Sequence, residues 1–152
     1  MVSMRRPLPL ILAALTLAAC GEVTYSDLLS HPESHLFYPG SRVVTRSGGG
    51  EHSGLDTGRI PASTTVVLVT DAPMTQIYAW YRSHLVATGW ALRDTEPETM
   101  NGGYELFTKG KDQVFQVSPD PKEGTYAIYY SILPAACAKR DPIPLDRAMG
   151  NC

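Results

Sequence analysis

The chain has 152 residues, 18% of them charged, with 13 Lys and Arg against 15 Asp and Glu and a formal charge of −2. That balance argues against a nucleic-acid partner, because phosphate binding needs clustered Lys and Arg, and Lys109 with Lys111 or Lys139 with Arg140 are too sparse to form a stripe. No apolar run reaches the roughly 20 residues that cross a bilayer, and the length suits one domain with one core.

At the start of the chain, Arg5 and Arg6 precede an apolar body from Leu8 to Leu17, and the small residues Ala18 and Ala19 precede Cys20. A basic start, an apolar centre and a small-residue cut are the three parts of a secretory signal. Leu17-Ala18-Ala19-Cys20 resembles the lipobox of bacterial lipoproteins. The resemblance implies acylation of Cys20 and cleavage before it. Residues 1–19 are then a signal peptide, 20–36 a lipidated tether, and the protein sits on the extracytoplasmic side of a cell-envelope membrane. A buried methylene contributes about 0.8 kcal/mol, so a two-chain lipid gives stable attachment.

Cys137 and Cys152 would be left in an oxidising compartment, where pairing is expected. A bridge between them closes a loop of about 15 residues, worth about 3 kcal/mol in the chain-entropy model, and pins the Pro-containing tail 138–152. Two free thiols are the alternative; a metal pair is disfavoured because zinc takes about four ligands.

From Gly21 to His35 the chain is polar and without period, the composition of a spacer, with one helical turn at Tyr25–Leu29. A single domain is expected over 37–137. Phe37-Tyr38-Pro39-Gly40 is a turn signal, followed by a short strand at Arg42–Arg46. Ser47-Gly48-Gly49-Gly50-Glu51-His52-Ser53-Gly54 has the composition of a flexible surface loop. The β-branched run Thr64–Thr70 predicts a buried strand.

Asp71-Ala72-Pro73 predicts a helix start, with Pro in the first turn and Asp71 beside the positive end of the dipole. Met74, Ile77, Tyr78, Tyr81 and Leu85 then form one apolar stripe. Gly89 predicts the stop, with Trp90 packing back on Leu85 in a Schellman ending. Beyond it, period-two patterns predict strands at Trp90–Asp94, Gly103–Thr108, Gln113–Ser118 and Thr125–Leu133, with Tyr126, Ile128, Tyr130 and Ile132 on one face. The fold class is α+β, one main helix packed on a mostly antiparallel sheet in the order β-β-α-β-β-β-β.

The stretch from Tyr38-Pro39-Gly40 through Val69-Thr70-Asp71-Ala72-Pro73 to Trp80-Tyr81-Arg82 and Gly89-Trp90 resembles small bacterial envelope lipoproteins of unassigned function. That likeness implies a strand, a helix ending in Gly-Trp and a meander, and it carries no catalytic residue.

Few constellations suggest chemistry. His31 and His35 have the spacing of two ligands on one side of a helix, with His52, Glu51 or Glu33 as further candidates. His52, Ser53 and Asp56 are the residue types of a hydrolase triad, but a triad needs a rigid frame that residues so close in sequence rarely supply. Gly48–Gly50 lack the lysine of a P-loop. The carboxylate pairs Glu96 with Glu98 and Asp120 with Glu123 lie in turns. Trp80 and His84 turn away from the helix stripe and are the candidate binding surface. The reading that results is a membrane-attached, non-enzymatic binding or assembly module, with no cofactor and with an envelope protein or glycan as partner. The alternative is a tethered hydrolase or metal-binding protein using His31, His35 and His52.

Overall fold

The computed structural model describes residues 22–54, 58–96 and 103–134. The expectations for the signal peptide, Cys20, Asp56, Glu98, Cys137, Cys152 and the tail lie outside those residues. In chain order the elements are α1 (Tyr25–Ser30), a 3₁₀ turn (Pro32–His35), β1 (Arg42–Gly49), β2 (His52–Gly54), β3 (Gly58–Ile60), β4 (Ala62–Val69), α2 (Met74–Ala87), β5 (Ala91–Glu96), β6 (Tyr104–Lys109), β7 (Gln113–Pro119) and β8 (Thr125–Ile132). Six strands make one antiparallel sheet ordered β1-β4-β8-β7-β6-β5, and β2 and β3 form a separate two-stranded ribbon.

Alternation sets the faces. In β4, Ala62, Thr64, Val66 and Leu68 are buried while their neighbours are half-buried, and each of the four pairs across to Ile132, Tyr130, Ile128 or Tyr126 of β8. Those residues, with Phe115, Val117 and Phe107, meet Ile77, Tyr81 and Leu85 of α2 in the main core. Met74 and Tyr78 of the expected stripe pack partly buried at its border. On the other side of the sheet Leu106, Val114 and Leu133 form a smaller cluster with Tyr104.

The helix starts one residue later than expected. Pro73 is the N-cap, and no side chain caps α2. Its end follows the sequence reading: the Trp90 amide donates to the Leu85 carbonyl at 3.0 Å and the Gly89 amide to Val86 at 3.1 Å, with Gly89 at φ 88°. This is a Schellman closure, and it explains the glycine, because a left-handed backbone is costly for any residue with a Cβ. Trp90 enters the core instead of opening β5.

Two expectations are corrected. Most of the segment expected as a flexible loop is strand: β1 continues to Gly49 in register with Ser63, and His52–Gly54 pairs with Gly58–Ile60. Here the glycines serve close approach. A Cβ on Gly48 would lie 2.2 Å from the Ser63 carbonyl oxygen, and one on Gly50 would lie 2.9 Å from the Tyr25 amide nitrogen. The expected spacer is also folded over 22–36. Leu28 is fully buried in the core, Glu33 and Ser34 are buried, and Thr24 and Asp27 form a reciprocal capping box on α1.

The two ends of the sheet differ. At the Ala62 end lie Gly49, Ile132, Gln113 and Lys109, and α2 terminates there. At the Val69 end lie Arg42 and Thr125, followed by the start of α2.

Candidate functional site

At the Val69 end, β4 runs directly into the turn before α2, and β8 emerges beside it from the turn after β7. The Thr70 amide donates to the Gly124 carbonyl at 3.0 Å, which ties the two turns together. Gly124 takes φ 71°, a conformation its lack of Cβ allows. Asp120 Oδ2 accepts from the Lys122 amide at 3.3 Å and from the Thr125 hydroxyl at 2.9 Å, holding the rest of the turn. Between these turns and the first turns of α2 is a cavity of about 190 Å³ lined by Thr70, Ala72, Pro73, Met74, Ile77, Gly124, Thr125 and Tyr126.

No charged side chain lines it. Both lining threonine hydroxyls are engaged: Thr125 with Asp120, and Thr70 accepting from the Ala72 amide at 3.3 Å. The Tyr126 hydroxyl accepts from the Tyr38 amide at 3.2 Å and bonds Ser41 Oγ at 3.0 Å. What the lining offers is mostly methyl groups, the Met74 thioether and a ring, with the Thr70 hydroxyl, which accepts from Ala72 and keeps its own proton, as a polar point. Such a surface favours a mainly apolar ligand, because polar atoms buried against methyl groups lose water without gaining a partner. Sequence reading missed these residues. Thr70 read as the end of a strand, Ala72 and Pro73 as a helix start and Gly124 as a turn, and nothing local says that they meet.

Elsewhere, several charges are paired within the molecule. Glu33 Oε1 accepts from Trp90 Nε1 at 3.3 Å and faces Lys109 Nζ at 3.5 Å, and that ammonium lies 5.8 Å from the centre of the Trp90 ring. Glu105, 2% exposed, pairs with Arg82 of α2. Burial raises the Tyr81 phenol far above its ordinary range, helped by the neighbouring Tyr126. Burial, with Glu33 and Asp112 nearby, raises the Tyr130 phenol. Neither group is set up to give or take a proton near neutrality.

The histidines expected as possible metal ligands are turned to separate partners. His31 packs its ring against Tyr130, His35 Nε2 donates to the Leu29 carbonyl at 2.9 Å, and His52 Nδ1 donates to the Gly50 carbonyl at 3.0 Å. Glu51 is bound to Arg59 and Val23. Among the described residues no group of three His, Cys, Asp or Glu is placed to hold a metal ion. His52 and Ser53 are adjacent in β2, where neighbours point to opposite faces. The Asp120 carboxylate is taken up by its own turn, and Glu123 is exposed.

Trp80 lies partly buried against the core, edge-on to Tyr38 and Tyr81 at 5.7 and 4.9 Å between ring centres, with exposed His84 stacked on it at 4.0 Å. One of its faces is thus already covered by His84. Among the described residues no helix is long and apolar enough to cross a membrane.

A family model described as START domain-like matches residues 44–125, more than half of the chain, and takes in every cavity-lining residue except Tyr126. No curated protein and no solved structure matches.

Proposed function

The chain belongs to the START domain-like family, and on that premise we propose that it is a ligand-binding module of the bacterial cell envelope, lipid-anchored through Cys20, whose ligand enters the cavity at the start of α2. The anchor is supported by Arg5, Arg6, the apolar body and Leu17–Cys20. The ligand seat is supported by one observation above others: a cavity of about 190 Å³ whose lining holds no charged side chain and is mostly apolar.

Size narrows the ligand class. A cavity of about 150 Å³ lined by apolar side chains accepts a benzene ring, whereas whole drug-sized ligands occupy about 300 Å³ or more. The cavity lies just above the first figure and below the second. It suits a single ring or the last few carbons of an aliphatic chain, with any polar remainder left at the mouth.

Titrating the purified folded domain with toluene and with 1-octanol, followed by methyl and aromatic NMR, tests this. Saturable shifts are expected at the Met74 methyl, Ile77 and Tyr126, and Met74→Trp, which fills the space from a partly buried position, is expected to weaken binding at least tenfold, read at Ile77 and Tyr126. Shifts that do not saturate, or that centre away from these residues, would overturn the assignment.

A further inference from the structure

The N-terminal segment is clipped to the end of the sheet opposite the cavity. The Glu51 amide donates to the Val23 carbonyl at 2.8 Å, and the Val23 amide donates back to Glu51 Oε2 at 3.3 Å. The other Glu51 oxygen pairs with Arg59, and Arg59 Nη2 reaches Glu22 at 3.0 Å. The Glu51 side chain is only 6% exposed, and Gly50 leaves the room that lets Thr24 and Tyr25 pass beside it. These contacts make 22–25 part of the fold.

The length of free chain follows. Cys20 is three residues from Val23, and three residues reach at most about 10 Å. A flexible spacer over 20–36 would instead have a root-mean-square reach of about 20 Å and let the domain tumble. The cavity lies at the far end of β4, whose eight residues run about 25 Å from Ala62, beside Gly49 and the clip, to Val69, beside Thr125.

We infer that the protein stands on its membrane. The end formed by Glu22, the β2–β3 ribbon and the β6–β7 turn at Gly110 and Lys111 rests against the lipid headgroups, and the cavity opens on the side away from them. The occupant of that end is the lipid surface carrying the Cys20 anchor. Charge contributes little to the posture, because Arg59 is held by Glu22 and Glu51 and Lys109 by Glu33, and exposed Lys111 adds one cation; the shortness of the link sets it. The ligand accordingly reaches the cavity from the aqueous side of the envelope and is not drawn from the anchoring leaflet. This inference rests on the proposed anchor and ligand seat.

The test uses the full lipidated chain in vesicles of phosphatidylethanolamine and phosphatidylglycerol bearing a headgroup-attached quencher. A fluorescent amino acid replaces either Lys111, at the clip end, or Lys122, in the turn beside the cavity; both positions are exposed. Quenching at least threefold stronger at position 111 is expected, unchanged between low and high salt. Inserting ten Gly and Ser residues after Gly21, ahead of the described residues, is expected to bring the two positions together. Equal quenching without the insertion, or stronger quenching at 122, overturns the posture. Intact mass reads the anchor in the same sample: an unacylated Cys20 overturns the anchor and the posture together, while the toluene titration judges the cavity independently.

Discussion

The hydroxyl of Tyr126 joins three segments that are far apart in sequence. It accepts from the Tyr38 amide, bonds Ser41, and lies 3.5 Å from the Tyr81 hydroxyl, which itself donates to the Leu36 carbonyl at 2.9 Å. Replacing Tyr126 with Phe keeps the ring in the core and removes this junction, leaving the Tyr38 amide without its acceptor. A donor left unmet away from water costs about 1–3 kcal/mol, and this amide is part-buried, so Tyr126→Phe is expected to lower the unfolding free energy by about 1 kcal/mol, read as a lower urea midpoint at an unchanged m-value. A loss below about 0.5 kcal/mol would mean that water takes over the role. The junction was not legible in the sequence. Alternation places Tyr126 on the core face, but the partner of its hydroxyl depends on where residues 36–41 cross the sheet.

At the scale of elements, α1 contrasts with α2. A helix of six residues is marginal in water, so α1 owes its existence to the Thr24–Asp27 capping box and to Leu28, fully buried beneath it. Leu28→Ala is expected to cost about 2–5 kcal/mol, the range for emptying a buried leucine site, read by denaturant unfolding. A free spacer would give no change. One buried leucine in a polar stretch creates no periodicity, which is why the helical turn at Tyr25–Leu29 was foreseeable and its burial was not. The ending of α2 is the opposite case. Gly89 and Trp90 stand next to the residues they close upon, so the local pattern was sufficient.

For the whole molecule, the buried phenols set a limit on the alkaline side. Tyr81 and Tyr130 ionise above the ordinary value of 10.0 when folded, chiefly because burial disfavours the phenolate. Folding stability from these groups is complete below that ordinary value, and it is lost as pH rises from there toward the folded-state values. Stability is therefore expected to hold from about pH 7 to about pH 9 as far as these two groups govern it, and to fall above about pH 10. Urea unfolding across that interval checks it, and Tyr81→Phe is expected to make the fall shallower. A fall of the same steepness in the variant would place its cause elsewhere.

The sequence by itself determined the elements: the β-branched run that became β4, the apolar stripe and glycine stop of α2, and the alternating meander after it. Each depends on residues within a turn or two of one another, where backbone preference and side-chain period act directly. Only the tertiary structure decided what those elements bring together. The cavity exists because β8 lies beside β4 and Thr70 meets Gly124. Glycines read as flexibility are instead where the N-terminal segment passes the sheet, and histidines read as possible ligands are turned to separate partners. Those outcomes depend on strand order and on the closest distance two segments can reach, and neither is set by neighbours along the chain.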